Sequence, residues 1–425
     1  MLYKTSGENM PSVHLHSCVN RKSRKQLPVS ALFLLGYPIL FAIVFRQRGH
    51  VDYTVVDFSA KIQIIFLSVA ALWALNRMVQ LKRAFLNLLL RAPLSYLFAY
   101  MLLGLTSVLW SSHPVMTLYR SIEGLVFLVL IIDCVHSSRN NVESLQVLIM
   151  FCLIACLYDI SMAVRTSAMF EESGLLEFLH LNVGSVLAAA GAFLSIGYPN
   201  RTIRLWMIAI FLLVVALSTS TGTYIAFLIG VGALFLLRRS FLYSCVFIFL
   251  SLAILLLCLH SGTQPFTRML FAGKPPEQVA TASGRIGLWR WSWEERIVER
   301  LVLGYGYDVG EHQLDDPTRR FPMAHNVMVS AAISLGIPGL LLLCLLCASM
   351  LRNALSRSSF LYPHLFAACL VVWINSLSSL SIASRVNVIW LLTAWLCVIV
   401  TNSRNVIGCS IRPYERNVIS QNIRN

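Results

Sequence analysis

Apolar residues in this chain come in unbroken runs separated by short polar connections. They neither alternate nor recur only at every third or fourth position. One helical crossing of a hydrocarbon layer about 30 Å thick takes roughly 20 mostly apolar residues. Runs close to that length occupy 29–45, 60–75, 92–109, 118–135, 145–164, 182–196, 205–219, 224–237, 241–259, 327–351, 361–377 and 386–400. Strands of a membrane barrel would instead alternate every second residue over about 10 positions. The pattern therefore predicts an all-α membrane protein with about twelve transmembrane helices, and no internal repeat stands out.

Composition agrees. Of 425 residues, 57% are hydrophobic and 12% charged, against a charged share of about 25% in soluble proteins, and the mean hydropathy is +0.72. The net charge of +15 raises nucleic acid as a partner, but the basic residues sit at the ends of runs, so no nucleic acid is expected. Placing Arg21, Lys22, Arg24 and Lys25 in the cytoplasm and threading twelve spans brings Arg77, Lys82, Arg83, Arg91, Arg139, Arg201, Arg204, Arg238, Arg239, Arg352 and Arg404 to the same side. That is the positive-inside arrangement, and it predicts both termini cytoplasmic and the connection before the tenth span outside. No small-residue cleavage site follows the first run, which is therefore read as a span rather than a signal peptide. The eleven cysteines show no paired CxxC spacing, and they read as packing residues and free thiols.

The one long interruption is 281–339, TASGRIGLWRWSWEERIVERLVLGYGYDVGEHQLDDPTRRFPMAHNVMVSAAISLGIPG. Its first part predicts a helix over 283–303, with Ser283 as N-cap, Gly304 as stop, and an apolar stripe of Ile286, Trp289, Trp293, Ile297 and Leu301. Three tryptophans place this helix along the membrane surface, where indole rings settle. Arg285 falls in its first turn, where free N–H groups and the helix dipole favour an anion such as a diphosphate. The other reading is a surface arginine paired with a neighbouring carboxylate. The glycines of Gly304-Tyr305-Gly306-Tyr307 permit a sharp turn, and the two tyrosine rings suit sugar stacking and the membrane interface equally. Pro322 favours a helix start just beyond it. His325 and Asn326 are then expected in the first turn of the tenth span, where the dipole keeps imidazole neutral and able to accept a proton; a plain capping role fits the same position. Gly336, Pro338 and Gly339 are expected to bend that span.

Polar residues elsewhere say less. Arg120 and Glu123 share one helical face and can pair, and Asp133 and Asp159 stand near span ends; charges at membrane depth mark function or a buried ion pair. His180 and Asn182 before the sixth span can touch a substrate or cap a helix. The corner ALSTSTGTY, 216–224, can line a cavity or cap helix ends. No nucleotide-binding GxxxxGK[ST] loop occurs. The acidic pair Asp315-Asp316 does not resemble a ligand set, so no metal and no cofactor are expected.

The order SGR, LW, LGYGYD, AHN and LGIPGL, in an external loop ahead of the tenth span, resembles the O-antigen ligase and polymerase superfamily of bacterial membrane proteins. The resemblance implies a polytopic glycosyltransferase fold in which a long periplasmic loop covers a cavity between helices. It also implies a layout of residues 1–28 as cytoplasmic tail, 29–259 as spans one to nine, 260–326 as periplasmic catalytic loop, 327–401 as spans ten to twelve, and 402–425 as cytoplasmic tail. The membrane implied is the bacterial inner membrane. The donor would be a glycan on undecaprenyl pyrophosphate, and the acceptor a lipid A-core oligosaccharide for a ligase or a growing glycan for a polymerase. By matching motif, His325 would activate the acceptor hydroxyl and Arg285 would hold the pyrophosphate. Many relatives carry a basic residue after Ser in the corner between the seventh and eighth spans, where this chain has Ser220-Thr221. Arg290, Arg319 or Arg320 would then supply a second pyrophosphate contact, or the contact would be missing, and Tyr305, Tyr307 and Asn326 would face the glycan. Ligase is the first reading and polymerase the second. A membrane transporter is the rival of a different class; against it stands the concentration of polar chemistry in one loop without paired broken helices in two halves.

Overall fold

The computed structural model describes residues 28–45, 58–138, 141–167, 182–218, 220–237, 285–312, 324–355, 362–378, 383 and 386–402, and all regular structure among them is helical. In chain order the helices are α1 (Val29–Phe45), α2 (Phe58–Leu89), α3 (Leu94–Thr106), α4 (Pro114–Ser137), α5 (Asn141–Ser167), α6 (Asn182–Ser195), α7 (Arg201–Leu217) and α8 (Thr221–Leu237). They continue with α9 (Arg285–Trp291), the single turn α10 (Val309–His312), α11 (Val327–Leu355), α12 (Tyr362–Ser376) and α13 (Val388–Asn402). Four stretches are long and apolar enough to cross a membrane, Ala60–Leu89, Pro114–Ser137, Val142–Ser161 and Val327–Leu355, and shorter apolar helices accompany them. Each expected span coincides with a helix except 241–259, which lies outside the described residues. The second differs in length. It was expected to end at Leu75, but α2 runs on through Arg77 and Lys82 to Leu89, leaving helical geometry only at Lys82. Lys and Arg are good helix formers, and Arg77 has a partner in Asp133 of α4 at 2.7 Å.

The packing is centred on α13, whose residues Val388 to Thr401 are all buried. A helix apolar on every side is what a central position requires, and α13 packs against α3, α4, α5, α6, α11 and α12. Its start is pinned from both sides: Asn387 caps it through Trp390 N (2.8 Å), Tyr37 donates to Val386 O (3.1 Å), and Tyr100 donates to Ala383 O (2.9 Å). Small residues let neighbouring helices close up, as usual between membrane helices. A Cβ on Gly191 would sit 2.7 Å from the Phe211 ring, and one on Gly230 would sit 2.9 Å from Phe193 and Val371.

The expected bend in α11 is present. At Gly336 the backbone swings to φ 65°, ψ −158°, and Pro338 follows. Pro338 has no N–H, so the helical partner of Ser334 O is missing, and the swing at Gly336 separates Ile337 N from Ile333 O. The segment after α9 makes up both losses. Tyr305 N donates to Ile333 O and Gly306 N to Ser334 O, while Ile337 N donates to Leu301 O, each at 2.9 Å. The approach leaves no room for side chains at two positions. A Cβ on Gly304, itself at φ 65°, would lie 2.6 Å from the carbonyl oxygens of Ile333 and Ser334, and one on Gly336 would run into Val302 O.

Other polar groups singled out in the sequence tie helices together. Asp159 accepts from Gly184 N at the start of α6 (2.9 Å), and Asp133 holds Arg77 and Ser137. In the 216–224 corner, Tyr224 donates to Ser218 O (2.6 Å), and buried Thr223 joins Ser185 of α6 (2.9 Å) to Asn375 of α12 (2.8 Å). These hydroxyls cap and tie helices. His180 lies outside the described residues, as does the Asn182 side chain.

Gly304→Ala puts a Cβ into both carbonyls at a left-handed backbone, a conformation that alone costs a non-glycine residue about 1–2 kcal/mol. It is predicted to lower the unfolding free energy of the detergent-solubilised protein by at least that much, read from the shift of its midpoint. Gly287→Ala, at an open helical position, is predicted to change it by less than about 1 kcal/mol. Equal midpoints for the two variants would show that the 301–306 segment does not support the break in α11.

Candidate active site

The helix bearing Arg285 is shorter and less regular than the pattern predicts. After α9 the chain continues as a π-helical turn, Ser292–Ile297, and then as non-helical turns to Leu303. The wider turn shifts the register of everything beyond it. The buried face is Leu288, Ser292 and Ile297, while Ile286, Trp293 and Leu301 of the expected stripe are exposed at 48%, 50% and 37%. The exposed apolar residues Ile286, Trp293, Val298, Val302 and Leu303 suit a segment lying at a membrane surface. Gly304 ends the segment as expected, its N–H donating to Arg300 O (2.8 Å). Ser283 and Gly284 of the SGR motif lie outside the described residues.

Arg285 is half-buried and donates through Nη1 to the carbonyl of Ser378, just beyond α12. Ser378 itself packs against the start of α8, where its Oγ lies 2.6 Å from the position of a Cβ on Gly222. The Ser-Thr corner thus lies beneath the residue that anchors Arg285. Among the described residues no carboxylate pairs with Arg285, and its Nε is buried with no hydrogen-bond partner. Burial lowers its pKa from the ordinary guanidinium value. The surface ion pair that was the alternative reading is not formed among the described residues.

His325 comes close enough to Arg285 for the guanidinium to act on its titration. Burial first, and the Arg285 charge second, push the imidazole down to about 4 from 6.5, so it is neutral at pH 7. The expected neutrality holds, but its cause is burial and Arg285 rather than a helix dipole. His325 is also not in the first turn of α11. It precedes the helix at φ 48°, a left-handed value that is uncommon outside glycine. Asn326 is the N-cap: its Oδ1 accepts from Met328 N (2.9 Å) and Val329 N (3.3 Å), and its carbonyl accepts from Ser330 N (2.9 Å). The Asn326 amide oxygen is therefore committed to the helix start rather than to a glycan.

The other expected site residues are placed differently. Arg290 is exposed and bonded to Glu294 at 2.8 Å, so its guanidinium already has a carboxylate on the solvent side. Arg319 and Arg320 lie outside the described residues. Tyr305 and Tyr307 are buried at 5% and 0% exposure, so neither ring offers a face for sugar stacking. Tyr307 packs edge-on against Tyr100 and over Gly104, with its N–H on Ser107 Oγ (3.0 Å) and its carbonyl on Thr117 Oγ1 (3.2 Å). Tyr305 donates to Glu299 (2.6 Å) beneath the Arg300 guanidinium. The turn glycines let these rings drive into the helix packing instead of standing above it.

Two further contacts hold the loop. Asp308, the acid of GYGYD, is buried with φ 63° and lies 3.4 Å from Arg120 Nε, while Arg120 bonds Glu123 (2.9 Å) and Glu123 bonds Gln63 (3.0 Å). The pairing expected within α4 is thus part of a chain linking α2, α4 and the loop. Trp289 donates from its indole to Ala324 O at 2.6 Å, one residue before His325. The sequence carried a signal for each contact: a lone arginine at membrane depth beside an unassigned loop aspartate, and a tryptophan four residues after Arg285. Among the described residues no group of three or more His, Cys, Asp or Glu gathers as a metal site would require.

Helices of this kind, with a pinned loop bringing an arginine to a histidine, describe a multi-pass membrane protein with a polar site at that loop. Residues 205–344, about a third of the chain, match the family model for O-antigen ligase, and this supports the O-antigen ligase and polymerase superfamily. The match runs from α7 into α11 and takes in Arg285, the GYGYD segment, His325 and Gly336. The family implies lipid-linked glycan substrates and a ligase- or polymerase-type transfer. No curated protein is similar enough to this chain to match it.

Arg120→Met removes the guanidinium shared by two buried carboxylates, and breaking a buried pair in this way costs about 3–5 kcal/mol. Asp308→Asn leaves Arg120 paired with Glu123 and is predicted to cost no more than about 1–3 kcal/mol. Unfolding midpoints of the two variants check the order. An Asp308→Asn protein as stable as the wild type would show that Arg120 does not join the loop to α4.

Proposed function

We propose that this protein is an O-antigen ligase that transfers a glycan from undecaprenyl pyrophosphate to a hydroxyl of a lipid A-core acceptor at the periplasmic face of the inner membrane, with residues 260–326 as the catalytic loop. The observation that carries the reading is the half-buried guanidinium of Arg285, with no carboxylate partner among the described residues, beside the neutral imidazole of His325. A buried cation of this kind is stabilised by an anionic ligand, and the planar fork of arginine matches phosphate oxygens. The family match supplies the substrate class. A polymerase would use the same chemistry with a different acceptor.

In this reading the imidazole of His325 takes the proton of the acceptor hydroxyl as its oxygen attacks the anomeric carbon. The bond from that carbon to the diphosphate oxygen breaks, and the charge gathering on the leaving diphosphate falls on Arg285. The lipid–diphosphate linkage is already activated, so no nucleotide is consumed and no metal is required. A base held near pKa 4 is weak at neutral pH. Diphosphate on Arg285 cancels the smaller, Coulombic part of the depression, so donor binding raises the basicity of His325 toward the working pH.

His325→Ala is predicted to lower single-turnover transfer about 10²- to 10⁴-fold with donor affinity nearly unchanged. Arg285→Ala weakens both donor binding and transfer, and Arg285→Lys restores only part because an ammonium lacks the fork. For the wild type, the acid limb of kcat/KM, which reports the free enzyme, should lie near pH 4 rather than 6.5: activity persists while His325 stays deprotonated and is lost as pH falls through that value. Wild-type turnover in His325→Ala would rule out the general-base role.

A further inference from the structure

Arg285 and Trp289 stand four residues apart on α9, which places both side chains on one face of the helix. Arg285 reaches across to Ser378 O, and Trp289 Nε1 donates to Ala324 O at 2.6 Å. Ala324 is fully buried, and the next residue, His325, holds a left-handed backbone at φ 48°. A non-glycine residue keeps such a conformation only where its surroundings impose it. On the far side of His325 the chain is fixed by Asn326, whose side chain caps α11. On the near side, the indole bond to Ala324 O ties the His325 backbone to α9.

We propose that Trp289 is a positioning residue: its indole N–H clamps the Ala324 carbonyl, fixes the left-handed turn at His325, and thereby sets the imidazole against Arg285. The inference rests on the reading of His325 and Arg285 given above and adds a coupling between them. One helical face then carries both the diphosphate contact and the clamp on the base, so a shift of α9 when donor binds moves both together. Apolar packing alone would be served by phenylalanine at position 289; the polar contact to a buried carbonyl would not.

The test compares the purified full-length wild type with Trp289→Phe, with a variant carrying 3-benzothienylalanine at position 289, and with His325→Ala. Benzothienylalanine keeps the shape of indole and replaces N–H by sulfur, so it separates the hydrogen bond from the packing if Trp289→Phe folds poorly. Two readouts are taken: kcat and donor KM, and the titration of His325 by NMR of ring-labelled histidine, assigned by the signal missing from His325→Ala. Loss of the N–H is expected to lower kcat about 10- to 100-fold, as small misplacements of a reacting group do, with donor KM changed far less. The His325 titration is expected to move up from about 4 toward 6.5 as the ring leaves Arg285 and its buried setting. An unchanged His325 titration and wild-type kcat in the benzothienylalanine variant would overturn the clamp even with His325→Ala inactive. If His325→Ala is fully active, the general-base reading fails by itself, and the NMR titration still decides whether Trp289 positions the ring.

Discussion

Pro338 offers no N–H and Gly336 leaves helical geometry, so the carbonyls of Ile333 and Ser334 must find donors outside α11. Tyr305 and Gly306 supply them, and the displaced Ile337 N–H is taken up by Leu301 O. Each such bond contributes only about 0.5–1.5 kcal/mol net, whereas leaving a buried backbone group without a partner costs about 1–3 kcal/mol. The penalty for separation is therefore larger than the gain from any one contact. This makes the broken helix and the loop a single unit. It fixes the segment 301–308 against α11, and through it the helix that carries Arg285 on one side and the chain that leads to His325 on the other.

Two arginines show how the same side chain is used in opposite ways. Arg120 lies between Glu123 and Asp308, with Gln63 completing the set, and it ties α4 to the loop. Its charge is spent on the fold. Arg285 has a backbone carbonyl and a neutral histidine as neighbours, and no carboxylate among the described residues. A half-buried cation left in that state is unfavourable by itself, and the deficit is what an anionic substrate would relieve. The contrast separates a residue that holds structure from the one we propose as the diphosphate contact, though both are arginines near the same loop.

Much of this was legible in the sequence because the decisive signals were local. Run length gave the helices, glycine and proline at 336–339 gave the break, and the charged interruption drew attention to the candidate site. The resemblance singled out Arg285 and His325, but their proximity is tertiary, since 40 positions apart in a chain nothing local brings them together. What escaped was tertiary. The tyrosines of GYGYD are amphipathic and read equally as surface platforms, but Gly104 and the hydroxyls of Ser107 and Thr117 provide a socket that only the folded α3–α4 unit contains. The end of the apolar stripe after Arg285 was misjudged because a π-turn at 292–297 moved the register beyond it, and no residue there announces one; the exposure of Ile286, ahead of the turn, is not explained by it. Asn326 reads as a polar residue near substrate, yet its position one residue before α11 makes it the cap.

The most direct measurement is reconstituted transfer: purified protein, a radiolabelled glycan on undecaprenyl pyrophosphate, and lipid A-core oligosaccharide, with chelator present. The account predicts that label moves into covalent linkage with the acceptor and that free undecaprenyl pyrophosphate appears in equal amount. Donor that stays intact beside the acceptor, or label that crosses a vesicle membrane with its diphosphate bond unbroken, would contradict it.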